Sequence, residues 1–192
     1  MLPNDALSVE PVIGAFLFPD NLVDDFDEDF ELGPFDINDA SSGLEVQAWR
    51  LLIQGNNIDI QKHPGGAFVT LLTVPGVTQA SFAFDQNAEV SVVYTVGSEV
   101  FLWWIDPTLP GRRTTLIANA VNPRLGLDDK REISTASSDI ILAYQVGTDL
   151  RYRQQRDRYT IERTLMSGIE PGIRLRNIGM TNVFRVQFEF VR

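Results

Sequence analysis

The chain has 192 residues, which is enough for one domain with an ordinary core or for a domain with an added arm. It carries a net charge of −10, is 44% hydrophobic and has no cysteine, so disulfides, thiolate catalysis and cysteine-bound zinc are excluded. Since no run of about 18 apolar residues occurs, we expect no membrane span.

The first part of the chain, residues 1–42, is predicted to be an extended acidic arm. Residues 1–45 contain 12 acidic side chains and no basic one, whereas residues 46–192 contain 14 acidic and 16 basic side chains. Prolines interrupt the arm and no helical or strand period is visible, yet it holds five phenylalanines, too many for a purely solvated tail. We expect it to become ordered on a partner surface, with a flexible acidic tail as the alternative. The candidate contact residues are Asp24, Asp25, Asp27 and Asp29.

Residues 43–192 are predicted to form an all-β domain of short antiparallel strands. Apolar and polar residues alternate in several segments, and clusters of glycine, proline and asparagine separate these segments at close spacing. No window of about 12 residues has a convincing helical period. The predicted strands lie at 44–50, 58–61, 67–74, 81–85, 90–96, 100–105, 114–119, 125–127, 139–146, 150–154, 159–165, 173–178 and 183–191.

Two segments about 50 residues apart resemble each other and indicate an internal repeat. Each has a strand ending in Tyr-x-Val, a turn of glycine, serine or threonine and an acid, and an outgoing strand that ends near an aspartate; the repeats lie at about 80–120 and 123–166. A unit of this length is typical of a β-propeller blade, although a β-sandwich has the same pattern of short strands. Since two units are few for a propeller, either residues 43–75 form a degenerate third unit or other subunits complete the structure.

The residues that could carry catalysis or hold a metal have simpler structural explanations. Asp85 and Asp128 occupy equivalent places in the two repeats, which is typical of turn-forming side chains rather than of the acid and base of a glycosidase. The single histidine, His63, precedes a proline in a predicted turn, and no Gly-x-Ser-x-Gly motif occurs. The alternating aspartates of the arm lack the glycine that a calcium loop requires. We expect no enzymatic activity and no cofactor.

An arginine-rich segment ends the second repeat and contains Arg151, Arg153, Arg156 and Arg158, with tyrosines among them. Such a segment could bind a phosphate backbone, but the net negative charge of the chain disfavours direct nucleic-acid binding. Arginine outnumbers lysine 14 to 2, a bias that favours bidentate contacts at interfaces. We therefore expect a subunit interface that faces the acidic arm of a neighbour, with solvated cross-strand ion pairs as the alternative.

Two adjacent tryptophans, Trp103 and Trp104, lie in one predicted strand and must face opposite sides of the sheet. At most one of them belongs to the core, so another surface has to cover its neighbour. This arrangement is a second indication of a subunit interface. The alternative is that aromatic side chains line a sugar-binding site.

The most specific motif of the chain is Leu-x-Tyr-Arg-x-Gln-Arg-Asp-Arg at residues 150–158, and it is accompanied by stretches at 84–87, 104–106, 123–131, 138–144, 179–180 and 185–188. Together these stretches resemble structural proteins encoded in the tail gene blocks of tailed bacteriophages. The resemblance covers about residues 80–192, and the arm lies outside it.

The resemblance implies a virion component without enzymatic activity, which is assembled in the cytoplasm of the bacterial host. Its place in the tail machine would be that of a nozzle, hub, collar or fibre-adaptor piece. Its partners would be other virion subunits and copies of itself in a cyclic homo-oligomer. The alternatives are a β-domain that binds or cleaves carbohydrate, such as a host-receptor binder, and a monomeric β-domain with a disordered tail.

Overall fold

The structure is a computed structural model and describes residues 28–33, 47–63, 65–85, 87, 89–128, 139–180 and 186–192. Over these ranges the fold is all-β, as predicted, and no helix in them is long and apolar enough to cross a membrane. The strands are β1 (Glu28–Gly33), β2 (Gln47–Gln54), β3 (Asn57–His63), β4 (Phe68–Thr73), β5 (Val77–Phe84), β6 (Val90–Val96), β7 (Glu99–Ile105), β8 (Arg112–Ile117), β9 (Val121–Asp128), β10 (Asp139–Val146), β11 (Asp149–Gln154), β12 (Arg163–Met166), β13 (Arg174–Met180) and β14 (Val186–Val191).

The strands form four sheets that follow one another along the chain. Strands β1–β4 form the first sheet, β5–β8 the second, β9–β12 the third, and β13 and β14 the fourth. Each strand pairs antiparallel with the next strand of its sheet, so every sheet is an up-and-down meander. The second and third sheets span 77–117 and 121–166, so each of the two similar sequence segments corresponds closely to one four-stranded sheet.

The central hairpins of the second and third sheets turn in the same way. Both turns have two residues between the paired strands, and the first of the two is Gly97 in one hairpin and Gly147 in the other. These glycines have φ values of 59° and 60°, a left-handed conformation that a Cβ atom disfavours. The shared sequence signature of the repeat therefore encodes a shared hairpin turn.

The sheets stack face to face in chain order, and a hydrophobic cluster fills each of the three interfaces between them. Val92 packs towards the first sheet and Val93 towards the third, so the second sheet is covered on both faces. In the third sheet, Ile140 packs towards the second sheet and Ile141 towards the fourth. This double burial explains why β6 and β10 are almost continuously buried instead of alternating.

The first strands of the sheets, β1, β5, β9 and β13, lie next to one another in that order. Side chains form hydrogen bonds to backbone groups of the neighbouring strand in this row. The hydroxyl of Ser81 accepts a hydrogen bond from the N–H of Leu125 at 3.0 Å, and Nε of Arg124 donates to the carbonyl of Arg176 at 2.5 Å. These bonds give polar backbone groups of neighbouring first strands a side-chain partner.

The predicted strand at 159–165 is wrong in its first half. Residues 155–157 form a single 3-10 turn, Arg158 and Tyr159 have positive φ values of 53° and 54°, and β12 begins only later. This reversal places the buried ring of Tyr159 against Trp104. Burial of an aromatic side chain thus outweighs the strand preference of the local sequence.

A strand also lies inside the predicted arm, where the sequence has no strand period. Residues 28–33 form β1 and pair along β2. Backbone pairing of this kind requires no particular side chains, which is why the pattern gives no sign of it. Among the candidate contact residues of the arm, Asp29 lies in β1, whereas Asp24, Asp25 and Asp27 lie outside the described residues.

Candidate functional site

The four arginines of the predicted interface lie on β11 and on the turn that follows it. We refer to Arg151, Arg153, Arg156 and Arg158 as the arginine cluster. The first two occupy alternate positions of β11 and share one face of the third sheet, while the other two belong to the turn. The acidic partners of all four come from the same chain.

Arg156 and Arg158 each bind a buried aspartate. The backbone N–H and Nε of Arg156 donate to the two carboxylate oxygens of Asp139, at 2.8 and 2.7 Å. Nη2 of Arg158 donates to Oδ2 of Asp106 at 2.5 Å, and Asp106 directly follows β7 of the second sheet. The two aspartates are only 4% and 2% exposed. A charge-assisted hydrogen bond from Arg158 to the buried carboxylate of Asp106 therefore joins the turn of the third sheet to the end of the second sheet.

Gln155, in the same turn, forms a second link between these two sheets. Its Nε2 donates to Oδ2 of Asp85 at 3.0 Å, and its Oε1 accepts from the N–H of Ile140 at 3.3 Å. The other carboxylate oxygen of Asp85 accepts from the N–H groups of Asn87 and Glu89. The prediction that the side chain of Asp85 bonds the backbone of its own turn is confirmed. Its other carboxylate oxygen accepts the bond from Gln155.

The surroundings of the two aspartates move their pKa values in opposite directions. Burial raises the pKa of Asp139 by more than the hydrogen bonds from Arg156 lower it. Burial also raises the pKa of Asp106, but the hydrogen bonds from Arg158 and Thr108 and the charge of Arg158 outweigh it, and the pKa falls to about 2. Asp106 is therefore an ionised partner of Arg158 and does not exchange protons near neutral pH.

Arg151 and Arg153 share one acidic partner, Glu162. Nη1 of Arg151 donates to Oε1 of Glu162 at 2.6 Å, and Nη2 of Arg153 donates to Oε2 at 3.1 Å. The hydroxyl of Tyr144 also donates to Oε2, and Nε of Arg153 donates to that hydroxyl at 2.8 Å. The bond from Tyr144 lowers the pKa of Glu162, burial raises it, and with the two arginines the result is about 2. Burial and the bond to Glu162 raise the pKa of Tyr144.

Replacing Glu162 with glutamine should lower stability in a pH-dependent way. Because the pKa of about 2 in the folded protein lies below the ordinary value of 4.5, ionised Glu162 stabilises the fold above about pH 4.5. This contribution is lost as the pH falls towards 2, so urea denaturation should separate wild type and variant most at neutral pH. Glu170→Gln is the matched control, since the side chain of Glu170 is 67% exposed and its ion pair with Arg192 lies on the surface. A difference independent of pH would contradict the role of the ionised group.

The two tryptophans face opposite sides of the second sheet, as predicted. Trp104 is 3% exposed, its ring meets that of Tyr159 edge-on with centroids 5.0 Å apart, and its Nε1 donates to Thr115 at 3.2 Å. Trp103 is half-buried beside the cluster between the first and second sheets, and the guanidinium of Arg112 lies 4.0 Å from its ring centroid. Part of the cover over Trp103 thus comes from its own chain, and a role for it at a subunit interface stays a prediction.

The sequence pointed to the arginines but not to the acids that bind them. Asp106 is 52 residues from Arg158, and Asp139 is 17 residues from Arg156. The one signal in the sequence was the aspartate near the end of each outgoing strand of the repeat, which marked Asp106 without naming its partner. No group of three or more histidine, aspartate or glutamate side chains in the described ranges could hold a metal ion.

No protein-family model matches this chain, and no curated protein matches it either. The contacts of the arginine cluster are therefore the basis for what this site can do. Asp106, Asp139 and Glu162 each accept hydrogen bonds from arginine, so they form fixed ion pairs. A general acid or base needs a pKa near the working pH and access to a substrate. The bond from Arg158 to Asp106 joins the second and third sheets, while the ion pairs of Asp139 and Glu162 lie within the third sheet and its turns.

Proposed function

We propose that the protein is a structural subunit of a bacteriophage virion, a component of the tail machine that assembles with copies of itself and with neighbouring tail proteins. The observation that carries this proposal is the stack of sheets, in which four-stranded meanders lie with their first strands side by side, as propeller blades do. The hydrophobic clusters of the described residues join successive sheets only. The first and fourth sheets therefore each have a face that no such cluster covers, and other subunits would complete the stack.

The charge distribution supports a head-to-tail contact between copies. Residues 1–45 contain 12 acidic side chains and no basic one, whereas residues 151–192 contain nine arginines and four acids. A contact between different surfaces of identical subunits is heterologous and closes into a ring when the rotation fits. Opposite charges at the two ends of the chain favour this contact over a symmetric one.

The exposure of the aromatic side chains weighs against the carbohydrate-binding alternative. A sugar site needs an aromatic ring face that a ligand can reach, together with polar groups around it. Trp49, Trp104 and Tyr144 are 2%, 3% and 0% exposed, so their rings belong to the core. The fixed ion pairs of the arginine cluster likewise favour a scaffold over a sugar-cleaving enzyme.

The proposal is tested directly on virus particles. Mass spectrometry of purified particles of the phage that encodes this chain should detect it as a component present in several copies. Particles assembled without it should have defective tails, while their capsids should form normally. Absence of the chain from purified particles would contradict the proposal.

The purified protein should form an oligomer that becomes smaller when residues 1–27 are deleted or when salt is raised. Attraction between the acidic arm and the arginine-rich surface is screened within about 3 Å at about 1 M salt, so both changes weaken the same contact. Light scattering after gel filtration measures the mass, and circular dichroism controls for folding, since this deletion leaves β1 in place. A monomer at low salt, or an oligomer indifferent to both changes, contradicts self-assembly through the arm.

A further inference from the structure

The fourth sheet is incomplete by comparison with the other three. In the described part of the chain it consists of β13 and β14, whereas each of the other sheets has four strands. β13 lies against β9 as the first strand of its sheet, and β14 has one edge with which no described strand pairs. Such an edge presents a row of backbone N–H and C=O groups to which a further strand can bind.

The burial of β14 also indicates that a strand is missing beside it. β2, the second strand of the complete first sheet, which also packs on a hydrophobic cluster on one face, contains the buried residues Trp49 and Leu51. β14 contains none, although Phe188 and Phe190 pack on the cluster between the third and fourth sheets. A third strand would cover the sides of these rings and remove their apolar surface from water.

We propose that residues 12–18 of a second copy bind β14 as the third strand of this sheet. The segment, Val-Ile-Gly-Ala-Phe-Leu-Phe, is a run without a polar side chain, bounded by Pro11 and Pro19. Such a run is typical of a strand covered on both faces, and the prolines end the pairing on each side. Strand addition to a sheet edge is a common mode of peptide recognition. This inference rests on the proposed self-assembly and names the contact that produces it.

Charge and chain length favour this occupant. Residues 1–27 contain six acidic side chains and no basic one, and residues 174–192 contain four arginines and one acid. In a head-to-tail assembly the first sheet of one subunit meets the fourth sheet of the next, so the arm enters beside β14. The 27 residues that precede β1 span roughly 90 Å when extended, at about 3.3 Å per residue, so the segment can reach this edge.

Disulfide trapping between singly substituted proteins tests the contact, because the natural chain has no cysteine. One preparation carries Gly14→Cys or Ala15→Cys with a mass tag, and the other carries Gln187→Cys or Glu189→Cys, two exposed alternate positions of β14. Adjacent strand residues face opposite sides, so one arm variant shares a face with the β14 thiols. Mild oxidation of the mixture should give a heterodimer on a non-reducing gel.

The matched control for β14 is Thr164→Cys, because Thr164 is exposed on β12, the outer strand of a complete four-stranded sheet. We expect at least a tenfold weaker heterodimer band from this control. A strand-breaking variant, Ile13→Pro, should abolish both the heterodimer and the oligomer without changing the thermal unfolding of the domain. Ser8→Pro, which lies outside the apolar run, should leave both intact.

The outcomes separate this inference from the self-assembly on which it rests. An oligomer that yields no more heterodimer at β14 than at Thr164 overturns the strand pairing and leaves self-assembly standing. A monomeric wild-type protein overturns both. A doubly substituted chain, Ala15→Cys with Gln187→Cys, gives a further test. If its disulfide forms within one chain at high dilution and no disulfide ever joins two chains, the pairing with a second copy is overturned.

Discussion

Replacing Trp104 with alanine should lower the free energy of unfolding by about 3–5 kcal/mol. The ring lies in the cluster between the second and third sheets, where it contacts Tyr159, and its Nε1 donates to Thr115. The substitution leaves a large cavity at the interface that Arg158 also spans through its bond to Asp106. Urea denaturation followed by circular dichroism measures the loss without relying on the fluorescence of the residue removed.

Trp103→Ala is the matched control for this prediction, because the two tryptophans are adjacent on the same strand. Trp103 is half-buried and stacks under Arg112, so its removal should cost about 1–2 kcal/mol. Equal losses for the two variants, or a larger loss for Trp103→Ala, would contradict the assignment of Trp104 to the core and of Trp103 to the partly covered face.

Gly126→Ala should destabilise the protein by about 1–3 kcal/mol through overpacking. A Cβ atom at position 126 would lie 2.6 Å from Cβ of Ile178 and 2.7 Å from its carbonyl oxygen. The first strands β9 and β13 thus approach closely because residue 126 has no side chain. Since part of the obstacle is backbone, a rotamer change cannot relieve it, and the fourth sheet must shift away from the third.

Gly179→Ala is the control for the fourth sheet, because Gly179 lies on β13 and a Cβ there would meet no atom within 4 Å among the described residues other than its chain neighbours. Gly179→Ala should change the free energy of unfolding by less than about 0.5 kcal/mol. The change is stabilising if the backbone at this position is compatible with alanine. Thermal unfolding of both variants, followed by calorimetry, provides the comparison. A loss at Gly179 equal to that at Gly126 would mean that the close approach of the two strands is not the cause.

The members of the arginine cluster have acidic partners within the chain, and these partners affect how a neighbouring subunit can bind the cluster. Glu162, Asp139 and Asp106 already bind its members, so an acidic arm from a neighbour would add to these contacts or compete with them. Each guanidinium has five N–H donors, and the side chains of Arg156 and Arg158 are 37% and 46% exposed. Arg158, which joins the second and third sheets through Asp106, is therefore exposed enough to meet a second anionic group as well.

The repeat in the sequence and the stack of sheets are related through the hairpin turns. Gly97 and Gly147 could be recognised because a two-residue turn with positive φ demands glycine, a requirement that involves only neighbouring residues. The strand positions of the second and third sheets followed from short apolar runs between such turns. The reversal at Tyr159 could not be recognised, because its cause is the packing of that ring against Trp104, 55 residues earlier in the chain.

The all-β class, the tight turns and most strand positions could be predicted, since they depend on conformational preferences that act over a few residues. Which faces the sheets bury and which acids the arginines bind depends on contacts between distant parts of the chain. A continuous apolar run such as Val90–Val96 requires cover on both faces but does not say which sheets supply it. Likewise Arg158 requires an anion, and packing brings it Asp106 from another sheet, a choice that local preference cannot make.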